Sequence, residues 1–196
     1  ISSFSTLLKK SSTNLPAKSL KYIDYINTGV TDMSGMIDAL LQFSSLGRQK
    51  LKQEEINLNT LINRIVLAFE IQVKSRKIHW VIGELPIIKG DYYLIKMVFE
   101  NLISNAVKFT NNREDATIEI NVKGKTLYVK DNGVGFDMKF KEKLFGVFQR
   151  LHRNEEFEGY GIGLANIKRI LNRHNATIIA ESTLNEGATF YISFKE

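Results

Sequence analysis

Met97, Asn101, Asn105 and Lys108 stand four, four and three residues apart, so on a helix they share one stripe. Leu94, Val98, Leu102 and Ala106 form the apolar stripe beside it. Two amides and an ammonium next to a core-facing stripe suit the holding of Mg2+ and phosphate oxygens. Asn and Lys are also common on solvated helix faces, and the spacing alone does not choose. A second signal lies in Lys125–Asp131, where strand alternation puts Leu127, Val129 and Asp131 on one face and Tyr128 and Lys130 on the other. An apolar face that ends in a carboxylate needs a donor, and an exocyclic amino group such as that of adenine would serve. Asn132-Gly133 and Val134-Gly135 follow at once, a run equally suited to an ordinary turn. The third signal is Gly159-Tyr160-Gly161-Ile162-Gly163-Leu164, which opens onto a helical face of Leu164, Ile167, Ile170 and Leu171. Glycines at the start of a helix expose several N–H groups where the helix dipole adds partial positive charge, a cradle for phosphate in principle. A dinucleotide fingerprint would need a strand running into that loop, but Asn154–Glu158 is acidic and polar, and the lysine-containing P-loop pattern is absent as well.

The elements that must position these residues are read from periodicity. Ile1, Phe4, Leu7 and Leu8 lie at helical spacing in Ile1–Lys10, and Ser11–Ser19, with Pro16, reads as a turn. From Leu20 to Leu46 the residues Ile23, Ile26, Val30, Met33, Ile37 and Leu40 recur in alternating steps of three and four, the seam of a coiled coil or helical bundle. A single hairpin would leave that seam partly open to water, so a second copy is expected to cover it. Gly47–Glu55 is polar and reads as a linker. Beyond it the pattern predicts a helix over Leu58–Val73, a strand over Ile78–Ile82, a helix over Asp91–Phe109, and strands over Ala116–Val122 and Lys125–Asp131 joined at Gly124. A helix from the glycine loop to about Asn172 and strands over Thr177–Ser182 and Ala188–Phe194 follow. Strands joined by a short turn are antiparallel, which rules out a doubly wound parallel sheet.

Composition bounds the rest. An apolar share of 43 % supports a real core, and 196 residues suit one large domain, or a mid-sized domain with a short helical piece. No run of apolar residues is long enough to span a membrane, and Ile1–Lys10 lacks the apolar block of a leader. Zero cysteines exclude disulfides and thiolate metal sites and agree with a cytoplasmic setting, while three scattered histidines argue against zinc. The net charge of +6 is spread among interleaved acids with no basic block carrying stacking aromatics, so nucleic acid is not the expected partner. A basic surface equally favours ATP or an acidic protein.

Asn101-Leu-Ile-Ser-Asn105-Ala-Val-Lys108-Phe109-Thr110 resembles the asparagine box of sensor histidine kinases, Asp131–Phe136 their first glycine box, and Gly159–Leu164 their second. Leu144–Leu151 is similar to their phenylalanine box and Glu186–Phe190 to their last glycine motif, and Phe145–Gly163 is closest to the phytochrome-like branch. The resemblance covers residues 51–196 and implies a Bergerat-type α/β two-layer sandwich, a mixed, mostly antiparallel sheet with helices on one face. Residues 1–50 would be a partial dimerisation and histidine-phosphotransfer hairpin preceding it, half of a homodimeric four-helix bundle. By position, Asn105 would ligate Mg2+ with Asn101 nearby, Lys108 would reach the phosphates, and Asp131 would accept the adenine amino group. Gly133 and Gly135 would shape the pocket, Gly161, Gly163 and the Leu164 N–H would line the triphosphate, and Gly159 would also bind ATP. Phe148 to Gly159 would be a lid closing over ATP, with Arg150 touching phosphate. The implied activity is transfer of the γ-phosphoryl of Mg·ATP to a histidine, then to an aspartate of a response-regulator receiver.

Two features depart from that pattern. Tyr160 stands where a small hydroxyl residue is expected, which bears on lid packing. Residues 1–78 contain no histidine, and His79, His152 and His174 suit a strand, the lid and a helix end rather than a phosphoacceptor. The resemblance then puts the acceptor upstream of Ile1, and this stretch should bind ATP without phosphorylating itself. ATPases that share the fold, such as gyrase and the heat-shock chaperone, set a Glu one helical turn before the metal-binding Asn. Here that position is Asn101, and Glu100 points about 100° away around the helix. Transfer to a side chain is therefore favoured over hydrolysis. An ATPase or serine kinase on the same fold, or a non-catalytic interaction module with a degenerate pocket, is the alternative.

Overall fold

The computed structural model describes residues 2–11, 16–47, 50–73, 76–149, 151 and 159–195. The chain forms two compact units, Ile1–Ser45 and Leu46–Glu196. In the first, helix α1 (Ser2–Ser11) packs against α2 (Ala17–Ser45). Helix α2 begins inside the expected Ser11–Ser19 turn. The Pro16 carbonyl accepts the Ser19 N–H at 2.8 Å and the Leu20 N–H at 3.2 Å, because the fixed φ of proline suits the first turn of a helix as well as it breaks an interior. Of the expected seam, Ile23 is buried, whereas Ile26, Met33, Ile37 and Leu40 are each roughly half exposed.

The second unit opens with a short antiparallel ladder of β1 (Glu54–Asn57) and β3 (Ile87–Gly90). Sequence periodicity predicts neither strand. β1 straddles the end of the polar run read as a linker, only its Ile56 is buried, and four residues are too few to show an alternation. The main sheet runs in the order β2 (Ile78–Ile82), β4 (Ala116–Lys123), β5 (Thr126–Asp131), β7 (Gly187–Phe194) and β6 (Ala176–Thr183). β2 is parallel to β4 and every other pairing is antiparallel. The β4–β5 hairpin turns at Gly124 with φ 64°, so Gly124-Lys125-Thr126 serves as a turn and not as a phosphate loop. Helices α3 (Leu58–Gln72), α4 (Tyr92–Phe109) and α5 (Gly163–Arg173) bury one stripe each in a core that also holds Ile120, Leu127, Val129 and Ile192 from the sheet. The result is the expected two-layer α/β sandwich, helices on one face of a mixed sheet. No helix among the described residues is long and apolar enough to cross a membrane.

Helix α4, which carries the asparagines, is fixed at both ends. Asp91 caps its start, with Oδ1 accepting the Leu94 N–H at 3.2 Å and Oδ2 accepting the Lys52 N–H at 3.1 Å. The Asp91 N–H donates to Nε2 of buried His174 at 3.0 Å, and His174 Nδ1 lies 2.8 Å from the Ile170 carbonyl, so Nδ1 carries the proton. His174 thus joins the start of α4 to the end of α5, a structural role. At the other end, the Arg76 guanidinium donates to the Val107 carbonyl at 3.1 Å and the Thr110 hydroxyl at 2.6 Å. That satisfies a carbonyl the helix itself leaves unpaired.

Candidate functional site

A cavity of about 310 Å³ opens among α4, the end of β5, β7 and the start of α5. Asn101, Asn105 and Lys108 from α4, Asp131 from β5, Gly135 just beyond it, and Gly159, Gly161, Gly163 and Leu164 all line it. Gly133 does not. It lies beneath Asp131, donating its N–H to Oδ1 at 2.8 Å, and a Cβ there would stand 2.5 Å from the Phe109 carbonyl oxygen. Arg150, His152 and the greater part of the expected lid lie outside the described residues.

Asp131 ends an apolar face as the alternation requires. Leu127, Val129 and Asp131 are 3 %, 2 % and 5 % exposed. Burial pushes the Asp131 carboxyl up to about 6, against backbone hydrogen bonds from Gly133 and Ala188 that favour the charged form. Phe136, Leu144, Ala188 and Phe190 add apolar surface to the same cavity. A carboxylate among apolar walls suits a flat heterocycle that presents one amino donor.

The chemistry contributed by α4 and α5 is different. Asn101 Nδ2 donates to the Met97 carbonyl at 2.8 Å, and its Oδ1 lies so close to Gly163 that a Cβ there would come within 2.8 Å of it. Helix α5 starts with no side-chain cap on its first N–H groups, and Lys108 Nζ sits 4.3 Å from the centroid of the Phe109 ring. Amide oxygens, an ammonium and an uncapped helix N-terminus around one cavity suit a polyanion with its cation. No group of three or more His, Cys, Asp or Glu that could hold a metal occurs among the described residues. A cation here would take an amide oxygen together with ligand oxygens and water, a donor set that Mg2+ accepts. Glu100 offers no carboxylate to the cavity; its Oε1 pairs with Lys96 Nζ at 2.5 Å one turn back along α4.

Several contributors escape the sequence reading. Ser104, Phe136, Tyr160, Ala188 and Phe190 also line the cavity. Register could have found the last two, since β7 sets Ala188 opposite Asp131 and Phe190 opposite Val129 on the inward face. Ser182 and Asn132 carry no such signal. Ser182 Oγ accepts the Phe136 N–H and donates to the Gly187 carbonyl, both at 2.8 Å, which stitches the first glycine turn to the β6–β7 turn. Asn132 accepts the Thr117 N–H at 2.9 Å and donates to the Asp115 carbonyl at 2.8 Å, prolonging the β4–β5 pairing past the strand end. Single polar side chains in turns have no period to read.

The family described as Histidine kinase-, DNA gyrase B-, and HSP90-like ATPase matches residues 90–196. Cyanobacterial phytochrome B of Nostoc sp. is 37 % identical over 172 residues, which cover 84 % of this chain and 23 % of that protein. The chain therefore spans under a quarter of that relative's length. Among solved structures, the catalytic domain of histidine kinase ThkA is 27 % identical with a TM-score of 0.59, over 72 % of this chain and 93 % of that one. The structure of ThkA in complex with the response regulator protein TrrA shares the fold at 22 % identity and a TM-score of 0.66, covering 97 % of this chain and 55 % of that one. With the family matched over more than half of this chain, around a cavity that sets a buried carboxylate across from Lys108 and the uncapped start of α5, the chain belongs to the histidine kinase-, DNA gyrase B- and HSP90-like ATPase family, among the catalytic ATP-binding domains of sensor histidine kinases.

Proposed function

We propose that residues 51–196 hold Mg·ATP in this cavity and transfer its γ-phosphoryl group to a protein histidine, from which it passes to an aspartate of a response-regulator receiver. The buried Asp131 carboxylate carries the reading. Desolvation raises its pKa to about 6, a cost that a structural role would not need and that an adenine amino group would offset. Adenine then lies along Phe136, Ala188 and Phe190 with its amino group on Asp131. Asn105 gives its amide oxygen to Mg2+, with Asn101 beside it. The cation, when bound, neutralises and orients the phosphate oxygens. Lys108 and the N–H groups of Gly161, Gly163 and Leu164 hold those oxygens, Gly135 and Gly159 shape the walls, and Gly133 supports Asp131 from beneath. Catalysis is mostly positioning and charge neutralisation.

Glu100, tied to Lys96, leaves no carboxylate where hydrolytic relatives activate water, which supports transfer over hydrolysis. The half-exposed residues Ile26, Met33, Ile37 and Leu40 support residues 1–50 as a dimerisation hairpin whose seam a second copy covers. A relative solved with its response regulator supports that class of partner, and ATP chemistry makes the cytoplasm the expected compartment. Phosphate release under saturating Mg·ATP tests the reading. A phosphotransferase releases almost none without an acceptor, and phosphorylates an added histidine-bearing helical hairpin with an acid-labile, base-stable bond. Steady release with no acceptor present would instead assign the chain to the hydrolytic members of the family.

A further inference from the structure

Arg113 lies between α4 and β4, in none of the motifs, and its Nε and Nη2 donate to three backbone carbonyls. Nε donates to the Asn132 carbonyl at 2.8 Å, and Nη2 donates to the Gly133 carbonyl at 3.1 Å and to the Asn185 carbonyl. The first of these acceptors matters most. The carbonyl of Asn132 and the N–H of Gly133 belong to one peptide unit, and that N–H is the donor 2.8 Å from Asp131 Oδ1. One peptide thus takes a cation-assisted bond at its oxygen and gives a bond from its nitrogen to the buried carboxylate. Bonds in such a chain polarise one another, and a charged donor strengthens the next link.

The other two bonds fix where that peptide lies. Asn185 sits in the β6–β7 turn, with its own N–H on the Val134 carbonyl at 2.8 Å and its carbonyl on Arg113. Val134 in turn donates to the Phe109 carbonyl at 3.1 Å, at the last residue of α4. Arg113 therefore gathers three segments around Asp131: the end of α4, the first glycine turn, and the β6–β7 turn.

We infer that Arg113 is a positioning residue for nucleobase selection, orienting and polarising the Asn132–Gly133 peptide so that Asp131 presents one carboxylate oxygen to a 6-amino purine. This rests on the reading of Asp131 as the adenine acceptor. Arg113 touches no ligand and acts only through the peptide. Its loss weakens the hold of the Gly133 N–H on Asp131 Oδ1 and leaves the Ala188 N–H as the firmer backbone donor to the carboxyl, while the phosphate wall, which Arg113 does not touch, keeps its contacts. Arg113 should therefore affect the amino-purine contact and not the rest of the nucleotide.

The test compares ADP with purine riboside 5′-diphosphate, which lacks only the amino group, by calorimetry on wild type, Arg113→Gln and Arg113→Lys. Wild type should prefer ADP by roughly 10- to 100-fold, the range for a charge-assisted bond to a site left unpaired by the analogue. Arg113→Gln should shrink that preference by about threefold or more with the analogue's affinity unchanged, and Arg113→Lys should recover part of it through its ammonium. If Arg113→Gln does not fold, Arg113→Lys alone decides, because a lost fork geometry must still lower the preference below wild type. An unchanged preference, or equal weakening of both ligands, overturns the inference on Arg113. A wild type that binds ADP without any preference overturns the reading of Asp131 itself.

Discussion

Replacing Asp131 by Asn should make the nucleotide-free chain more stable near neutral pH while weakening its grip on adenine. The carboxyl is 5 % exposed, and desolvation moves its pKa from 3.8 to about 6. An acid that titrates about two units higher in the folded chain than in the unfolded one costs ~3 kcal/mol once it is ionised in both. Because the folded state holds the proton more tightly, the group favours folding at low pH. That contribution is lost as pH rises from 3.8 through about 6, and stays lost above. Asn keeps an acceptor for the Gly133 N–H but needs a partner for its own NH₂, so the substitution recovers ~1–2 kcal/mol of the cost. In a chain of this size that is about 2–8 °C in melting temperature. Thermal unfolding followed by circular dichroism between about pH 4 and about pH 8 measures it. The variant should lead at neutral pH, and the two curves should converge toward the acid end. Mg·ADP should then narrow or reverse the gap, since wild type binds it more tightly and gains more stability by mass action. A variant less stable than wild type at neutral pH, or a gap that ignores pH, would refute the argument from desolvation.

Three further outcomes are expected. Gly135→Ala places a Cβ 2.1 Å from the Thr183 carbonyl at a φ of 60°, so backbone must move, and chemical denaturation should show a loss of ~2–4 kcal/mol. Gly163→Ala meets only the tip of the Asn101 side chain at 2.8 Å; the fold should tolerate it, while displacement of that amide should weaken Mg·ATP about tenfold in a fluorescence competition assay. Arg76→Met removes a charged donor from the Val107 carbonyl and the Thr110 hydroxyl, which keep the bonds from Thr110 to the Ala106 and Val107 carbonyls, and urea titration should register ~1 kcal/mol of lost stability.

What the sequence discloses and what it hides follow from period. α4, α5 and the inward faces of β4 and β5 repeat their apolar residues over enough turns or alternations to be read, and the burial of Asp131 follows from its place two residues after Val129. The motif order needs no geometry at all, so Asn101, Asn105, Lys108 and Gly159–Leu164 are found before the fold is known. β1 and β3 escape because each is four residues long and stable only as the other's partner, a tertiary fact. The start of α2 is misread because Pro16 breaks a helix in one position and seeds it in another. Arg113, Ser182 and Asn132 are invisible for a third reason. Each works through hydrogen bonds to backbone from loops or strand ends distant in sequence, which neither composition nor spacing encodes.

Whether ATP sits in this cavity with its base on Asp131 is read most directly by a calorimetric titration of Mg·ATP into wild type and Asp131→Asn. Wild type should show one site per chain, and the variant, although folded, should bind at least about tenfold more weakly. Equal affinity in the two proteins would contradict that placement, because the carboxylate would then have no part in holding the nucleotide.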